Sequence, residues 1–230
     1  MSTINSFRTI WQGLDWSYLT DILMYVIPAL ICITFHETCH GWVAYRLGDP
    51  TAKNMGRLSL NPIRHIDWVG LVMMVVFHFG WAKPVPVDMR NFKNPKRGMA
   101  ITALAGPVSN LILTALFLVL YGGLYYPLYL MGGAVGHFIM QLILVTAYLS
   151  LSLAVFNLIP ISPLDGSKVL FAFLSDEAYY KLMRYERYGM ILLMALVATG
   201  VLGTPLSSLT GFLFDKMFAI ANGVFRLIWG

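Results

Sequence analysis

Two histidines spaced by four residues enclose a glutamate in the sequence His36-Glu37-Thr38-Cys39-His40. In an α-helix this spacing puts the two imidazoles about 40° apart around the axis and about 6 Å apart along it, so both rings can reach one metal ion. Imidazole nitrogen is a usual ligand of zinc, and a glutamate beside such a pair can take a proton from water. The motif therefore predicts a hydrolytic zinc site in which His36 and His40 bind the metal and Glu37 is the base.

A third ligand is required, because a catalytic zinc ion is usually held by three protein side chains and a water molecule. Asp165 is the leading candidate, since it ends a segment in which Pro160 and Pro163 interrupt an apolar span. Such a break puts a carboxylate near the end of the span, at a depth that the two histidines can match. An ordinary alternative stays open at this point, in which Asp165 is the N-cap of the helix that restarts at Gly166.

The composition places this cluster in a membrane. Only 12% of the 230 residues are charged and 58% are hydrophobic, against roughly 25% charged residues in soluble domains. No Asp, Glu, Lys or Arg occurs in residues 98–164 or 188–214, and each run exceeds the roughly 20 residues that cross a bilayer. Because the runs do not alternate polar and apolar residues, they predict helices and not barrel strands. Ionisable side chains inside such a protein are costly and are expected to be functional.

The hydrophobic pattern predicts an all-α polytopic membrane protein with about five transmembrane helices. The predicted spans are residues 18–47, 100–121, 137–159, 188–202 and 206–228. Between the first two spans the chain is polar and rich in proline, and its apolar run 69–79 predicts a re-entrant or short β/loop region. We expect three parts, namely an interfacial N-terminal segment (1–17), a catalytic membrane core (18–174) and C-terminal membrane helices (175–230).

The basic residues predict the orientation. Nine of the 16 Lys and Arg residues lie in residues 46–97 and three more in 181–187, whereas residues 121–136 carry no charge. By the positive-inside rule the two basic regions face the cytoplasm and the uncharged one faces out, which puts the active site toward the cytoplasmic side. Orientation and anionic lipid account for these loops, so we expect no nucleic-acid partner.

Several further segments resemble the site-2 proteases, the zinc-dependent intramembrane metalloproteases. After HETCH at 36–40, the matching segments are LGDPTAK (47–53), GRLSLNP (56–62), HID (65–67), GWAKPVPV (80–87), AGPVSN (105–110) and NLIPISPLDG (157–166). They follow the family's order from residue 36 to residue 166. The chain resembles the compact form of the family, without the extra regulatory domains of other branches.

The resemblance implies roles for individual residues. It gives His36, His40 and Asp165 as zinc ligands, Glu37 as the catalytic acid and base, and Asn157 as a second catalytic residue that holds substrate backbone or the developing oxyanion. The segment 80–87 corresponds to a strand region thought to pair with substrate, and Asn110 to a small-residue motif that packs the core helices. The expected substrate-binding residues are Lys83, Val85, Val87 and Asn110.

Together, the residues and the resemblance predict a zinc-dependent intramembrane endopeptidase, with one zinc ion per chain, that cleaves transmembrane segments near the cytoplasmic side. Its expected partners are a single-pass membrane protein substrate and the lipid bilayer, and its expected location is a bacterial or archaeal cytoplasmic membrane. The alternative is a metal or proton transporter that uses the same intramembrane His/Glu/Asp cluster. A transporter predicts ionisable residues along several spans, yet residues 98–164 contain only His137.

Overall fold

The computed structural model of the chain describes residues 16–77 and 81–230. The α-helices in this part of the chain are α1 (Trp16–Arg46), α2 (Thr51–Asn54), α3 (Trp68–Phe77), α4 (Pro95–Met131), α5 (Gly133–Asn157), α6 (Asp165–Phe171), α7 (Asp176–Arg184), α8 (Glu186–Ala198), α9 (Gly203–Met217) and α10 (Ala219–Trp229). The β-type pairing among the described residues is one isolated bridge between Ile66 and Ala82. The all-helical prediction is therefore confirmed. The predicted interfacial segment 1–17 lies almost wholly outside the described residues.

Helices α1, α4 and α5 pack against one another and form the core of the structure. Small polar residues join α4 to α5: the Thr114 hydroxyl donates to the Ala147 carbonyl at 3.2 Å, and the Ser150 hydroxyl donates to the Asn110 carbonyl at 2.9 Å. In a bilayer no hydrophobic effect drives helices together, and such small residues let helices approach closely enough to pack. The three helices thus form one packed unit in which α1 lies against both α4 and α5.

Within residues 16–77 and 81–230, three helices are long and apolar enough to cross a membrane, namely Thr20–Arg46, Pro95–Met131 and Gly133–Asn157. A fourth crossing results if Tyr188–Ala198 and Gly203–Trp229, which are bent by 83° relative to each other, are one broken span. The structure thus supports three or four candidate spans. The count of about five, the re-entrant region around α3 and the division into three parts stay predictions.

Helix α4 extends further than the sequence indicated. The predicted spans ended at residue 121 and resumed at residue 137, but α4 continues beyond residue 121 to Met131. The reversal is confined to Gly132 and Gly133, whose φ angles of +59° and +66° favour glycine. Packing on α10 explains the extension, because the Trp229 indole donates to the Gly123 carbonyl at 3.0 Å. Apolar composition alone does not distinguish a helix from a turn here.

The connection between α1 and α4 is tied to the side of α1 that carries Glu37. The Thr38 hydroxyl donates to the Ser59 carbonyl at 2.9 Å, and the Lys83 amide donates to the His65 carbonyl at 3.0 Å. These bonds bring residues 83–88 alongside the metal-binding motif. The loop between α5 and α6 then returns the chain to the same place from the other side.

Candidate metal centre and active site

His36, His40 and Asp165 form one compact cluster. The Nε2 atoms of the two histidines lie 2.9 Å apart, and each lies 3.2 Å from Oδ2 of Asp165. All three side chains are buried, with 5%, 8% and 8% of their residue surface exposed. Helix α1 supplies both histidines from one face, and the first residue of α6 supplies the carboxylate. The structure therefore brings together the three predicted zinc ligands.

The Nδ1 atoms of both imidazoles have partners on α4, so the Nε2 atoms are the ones that face the cluster. Nδ1 of His40 lies 2.7 Å from the Thr102 carbonyl oxygen, which can only accept, so Nδ1 carries the proton and Nε2 presents a lone pair. Nδ1 of His36 lies 3.2 Å from the Asn110 side-chain amide. Metal-binding histidines commonly donate their second N–H to an oxygen in this way. Both rings are thus oriented as zinc ligands require.

These donors fit a zinc ion. Three lone-pair atoms that converge at 2.9–3.2 Å repel one another unless a cation lies between them, and the buried Oδ2 atom of Asp165 has no hydrogen-bond donor. Ligands of a tetrahedral zinc ion, at 2.0–2.1 Å from the metal, lie about 3.3 Å from one another. Two imidazoles and one carboxylate are also a usual donor set of catalytic zinc.

The N-cap alternative for Asp165 is wrong. The N-cap of α6 is Leu164, and Asp165 is the first residue inside the helix. Its Oδ2 atom converges instead with the Nε2 atoms of His36 and His40, and a carboxylate is the form that binds a metal.

Asn110 lies behind the metal ligands. It is fully buried, with 0% of its surface exposed, and is not among the residues that line the catalytic cavity. Its side-chain Oδ1 has no partner, while its Nδ2 faces Nδ1 of His36. Exchange of the two amide atoms, which are interchangeable in shape, gives Nδ1–H of His36 an acceptor. The position of Asn110 favours orientation of His36 over the expected contact with substrate.

Glu37 contacts the proline-rich segment. Its Oε2 atom accepts a hydrogen bond of 2.8 Å from the backbone amide of Val85. Val85 itself is buried, and it lines the catalytic cavity together with Glu37. This bond therefore holds the carboxylate at the wall of the cavity that the three metal ligands also line.

The cavity in front of the cluster has a volume of about 310 Å³. Of the other predicted site residues, Val87 and Asn157 line it and the exposed Lys83 does not. Asn157 is the last residue of α5, and its amide nitrogen donates to the Leu153 carbonyl at 2.9 Å. The second N–H of that amide forms no hydrogen bond with the described residues.

Three further residues shape the site, and none of them was assigned a role in it from the sequence. Gly106 of α4 faces the two histidine rings: a Cβ atom there would lie 2.4 Å from Nε2 of His40 and 2.5 Å from Nε2 of His36. Thr102 supplies the carbonyl that orients His40. Lys168, one turn after Asp165 on α6, brings a cation to the cavity wall. Gly106 lies in the segment 105–110 that resembles the family, whereas Thr102 and Lys168 have no local sequence signal.

Asp49 fixes the far end of the proline-rich segment. It is fully buried, and its carboxylate accepts from the amides of Thr51 and Asp88, at 3.0 Å and 2.7 Å, and from the Asn91 side chain at 2.7 Å. Burial raises the pKa of the Asp49 carboxyl, but these hydrogen bonds hold it below its usual value. A charged Asp49 therefore holds the segment beside α1.

Comparison with known proteins identifies the family. The sequence profile of peptidase family M50 matches residues 123–202, which include Asn157 and Asp165. YwhC of Bacillus subtilis, which is named a zinc metalloprotease, is 39% identical over 176 residues, 76% of this chain and 80% of that protein. Rip2 of Mycolicibacterium smegmatis, named likewise, is 27% identical over 203 residues, 86% of this chain and 76% of that protein.

Rip2 of Mycobacterium tuberculosis is 27% identical over 222 residues, which are 93% of this chain and 83% of that protein. No solved structure matches the chain significantly. The similarity to YwhC covers most of both chains, and the donor set in the structure fits the metal that the relatives' names give. The chain belongs to peptidase family M50, the site-2 protease family, and is a zinc metalloprotease.

Proposed function

We propose that this metalloprotease cleaves transmembrane segments of single-pass membrane proteins, near the cytoplasmic side of a bacterial or archaeal membrane. The observation that carries the proposal is the position of the ligands: His36 and His40 lie on α1, within the candidate span Thr20–Arg46, and Gly106 of the candidate span Pro95–Met131 packs against them. A zinc centre between two membrane-crossing helices is suited to a substrate that arrives through the bilayer.

The side chains around the cavity supply general acid–base catalysis. Zinc, when bound, acts as a Lewis acid that polarises the scissile carbonyl and makes a bound water acidic. Glu37 would accept a proton from the attacking water and later donate it to the leaving amine. The hydrogen bond from the Val85 amide keeps the carboxylate oriented for both transfers. Asn157, at the cavity wall, offers an N–H to the oxygen on which negative charge develops.

The backbone of residues 83–88 is held at both ends. The Arg57 guanidinium donates to the carbonyls of Lys83 and Pro84 at 2.6 Å and 3.3 Å, and the Asp88 amide donates to Asp49. Arg57 is buried, so these bonds are shielded from water. The segment is thus fixed to the protein by its first two residues and its last one.

The middle of this segment is available to substrate. In extended backbone the N–H and C=O of one residue point to the same side, and those of the next residue point to the other. The Val85 amide points to Glu37, so the Val85 carbonyl and the polar groups of Val87 are expected to face the cavity that both residues line. No described residue bonds these three groups. They favour capture of an unwound substrate by strand addition.

The proposed orientation rests on the charged residues. Cations cluster on the connection between α1 and α4 and on α7, and cytoplasmic loops carry such an excess. Lys83 is exposed at this end of the molecule and does not line the cavity. It is suited to contact headgroup phosphates or a charged residue that flanks the substrate helix.

The test uses the purified full chain in proteoliposomes with single-pass membrane proteins as substrates. Wild-type protein with zinc should cut a subset of them within a few turns of the cytoplasmic end, as mapped by mass spectrometry, and Glu37→Gln should abolish cutting and retain zinc. Glu177→Gln, which makes the same change on the exposed surface of α7, is the matched control.

An unfolded soluble protein is added as a further substrate. Equal cleavage of that protein and of the membrane substrates would leave the metalloprotease in place and contradict the intramembrane role. Cleavage at the opposite end of the substrate helix would contradict the orientation.

A further inference from the structure

A second cavity, of about 750 Å³, lies between the start of α4 and helices α6 and α7. The α4 residues that line the two cavities alternate along the helix: Met99, Thr102 and Ala103 line the catalytic cavity, and Ala100, Ile101 and Leu104 line the second one. Residues that alternate in this way lie on different faces of a helix. The second cavity is therefore separate from the catalytic cavity and shares a wall with it.

The rim of the second cavity is positively charged. Lys93, Lys96 and Arg97 line it, and Asp176 is the one carboxylate among its lining residues. Lys96 donates to Asp176 at 3.0 Å and also to the Leu174 carbonyl. Lys93 and Arg97 are exposed and pair with no carboxylate in the described part of the chain. The rim therefore has two cations without a counter-charge.

The wall below the rim is apolar. Ile101, Leu104 and Val169 line the cavity, and Phe173, which also lines it, has 85% of its surface exposed. The cations lie at the first residues of the candidate span Pro95–Met131. That is the level at which headgroups meet the apolar layer. Free cations above an exposed apolar wall, at the end of a membrane span, suit a ligand that is anionic at one end and apolar at the other.

We propose that this cavity binds one anionic phospholipid, with its phosphate between Lys93 and Arg97 and the upper part of an acyl chain against Ile101 and Phe173. Basic pockets between membrane helices bind anionic headgroups in this way. A free phosphate ion would use the cations but leave the apolar wall exposed to water. The lipid would brace α4 and α6, which carry Thr102 and Asp165 to the metal centre, so lipid binding and the metal centre are physically adjacent.

The test measures lipid bound to the full-length chain by native mass spectrometry. Delipidated protein receives phosphatidylglycerol and phosphatidylcholine in equal amounts, and wild type should retain phosphatidylglycerol in preference. Lys93→Gln with Arg97→Gln should lower that preference roughly 30-fold, since each cation near an anionic headgroup contributes about fivefold. Lys93→Arg with Arg97→Lys should restore it. Zinc content reports whether each variant is folded.

A matched control removes two other cations. Lys181 and Arg184 of α7 are exposed and do not line the cavity, so Lys181→Gln with Arg184→Gln changes the net charge equally and should leave the preference unchanged. Equal losses in the two double variants, or no preference in wild type, would overturn the proposal. Displacement of the lipid by millimolar inorganic phosphate would show an anion site without an acyl-chain site. Binding of a soluble acidic peptide in place of phosphatidylglycerol would assign the rim to protein ligands.

Discussion

Gly106→Ala tests the metal centre without changing any ligand. The added Cβ atom would lie 2.4 Å from Nε2 of His40 and 2.5 Å from Nε2 of His36, whereas ordinary contacts of carbon atoms begin at about 3.5 Å. Each ring must therefore move by about 1 Å. Zinc–ligand distances tolerate only about 0.2 Å. Helix α4 cannot retreat, because it packs against both α1 and α5.

The expected result is a protein that folds and does not bind zinc tightly. Loss of a single supporting contact around a zinc ligand already weakens metal binding by 10–100-fold, and displacement of two ligands should exceed 100-fold. The fold should persist, because two imidazoles can rotate and alanine favours a helix over glycine by about 1 kcal/mol. Zinc per chain, zinc affinity by competition with a chromogenic chelator, and thermal unfolding of the metal-free protein measure these effects.

Gly123→Ala is the control on the same helix. A Cβ atom at this position would meet its nearest neighbour, Cδ1 of Ile228, at 3.6 Å, an ordinary contact. This variant should bind zinc like wild type. Stoichiometric zinc of unchanged affinity in Gly106→Ala would refute the assignment of the metal centre, and equal zinc loss in both variants would indicate a general effect on α4.

Three other substitutions have distinct expected outcomes. Asp165→Ala should lower zinc affinity at least tenfold through loss of one ligand and leave the stability of the metal-free protein unchanged. Chelator competition and thermal unfolding measure the two effects, and unaltered zinc binding would contradict the role of Asp165 as a ligand. Val87→Pro should retain zinc and slow cleavage of a membrane substrate about tenfold, since it removes one backbone hydrogen bond. Val85→Ala keeps the amide bonded to Glu37 and should change the rate little. Equal large losses in the two variants would indicate a structural loop. Asp49→Asn should lower the free energy of unfolding by about 1–3 kcal/mol at neutral pH. Because its pKa is lowered on folding, the wild-type contribution is present above the unfolded value of about 4 and is lost as the pH falls through the lower folded value. The free energies of unfolding of the two proteins should therefore approach each other as the pH falls below about 4.

The metal ligands were predictable because their geometry is local or nearly so. The spacing of His36 and His40 fixes their relation on any helix, and Asp165 follows from the need for a third ligand at the same depth. The cluster in the structure agrees with these inferences, while the catalytic roles await the experiments above.

The contacts that orient the ligands were not predictable. Asn110 and Gly106 lie on α4 and reach residues of α1 about 70 positions earlier in the chain, and no periodicity reports such a pairing. The length of α4 was missed for a related reason. In an apolar sequence the signals that end a helix in water are weak, and only packing on α10 shows that residues after 121 stay helical.

The distance along α4 from its last charged residue to the metal ligands also gives the depth of the metal centre. Arg97 is the last charged residue before a long uncharged run, and Gly106, at the metal ligands, follows nine residues later. At 1.5 Å per residue the centre lies about 14 Å beyond the charged level, close to half of a hydrocarbon layer of about 30 Å. A helical substrate would span that distance with about nine residues, but an extended one, at about 3.3 Å per residue, with about four. If the protein cleaves transmembrane helices as proposed, only the last turn or so of the substrate helix would need to unwind, where several backbone groups lack helical partners in any case.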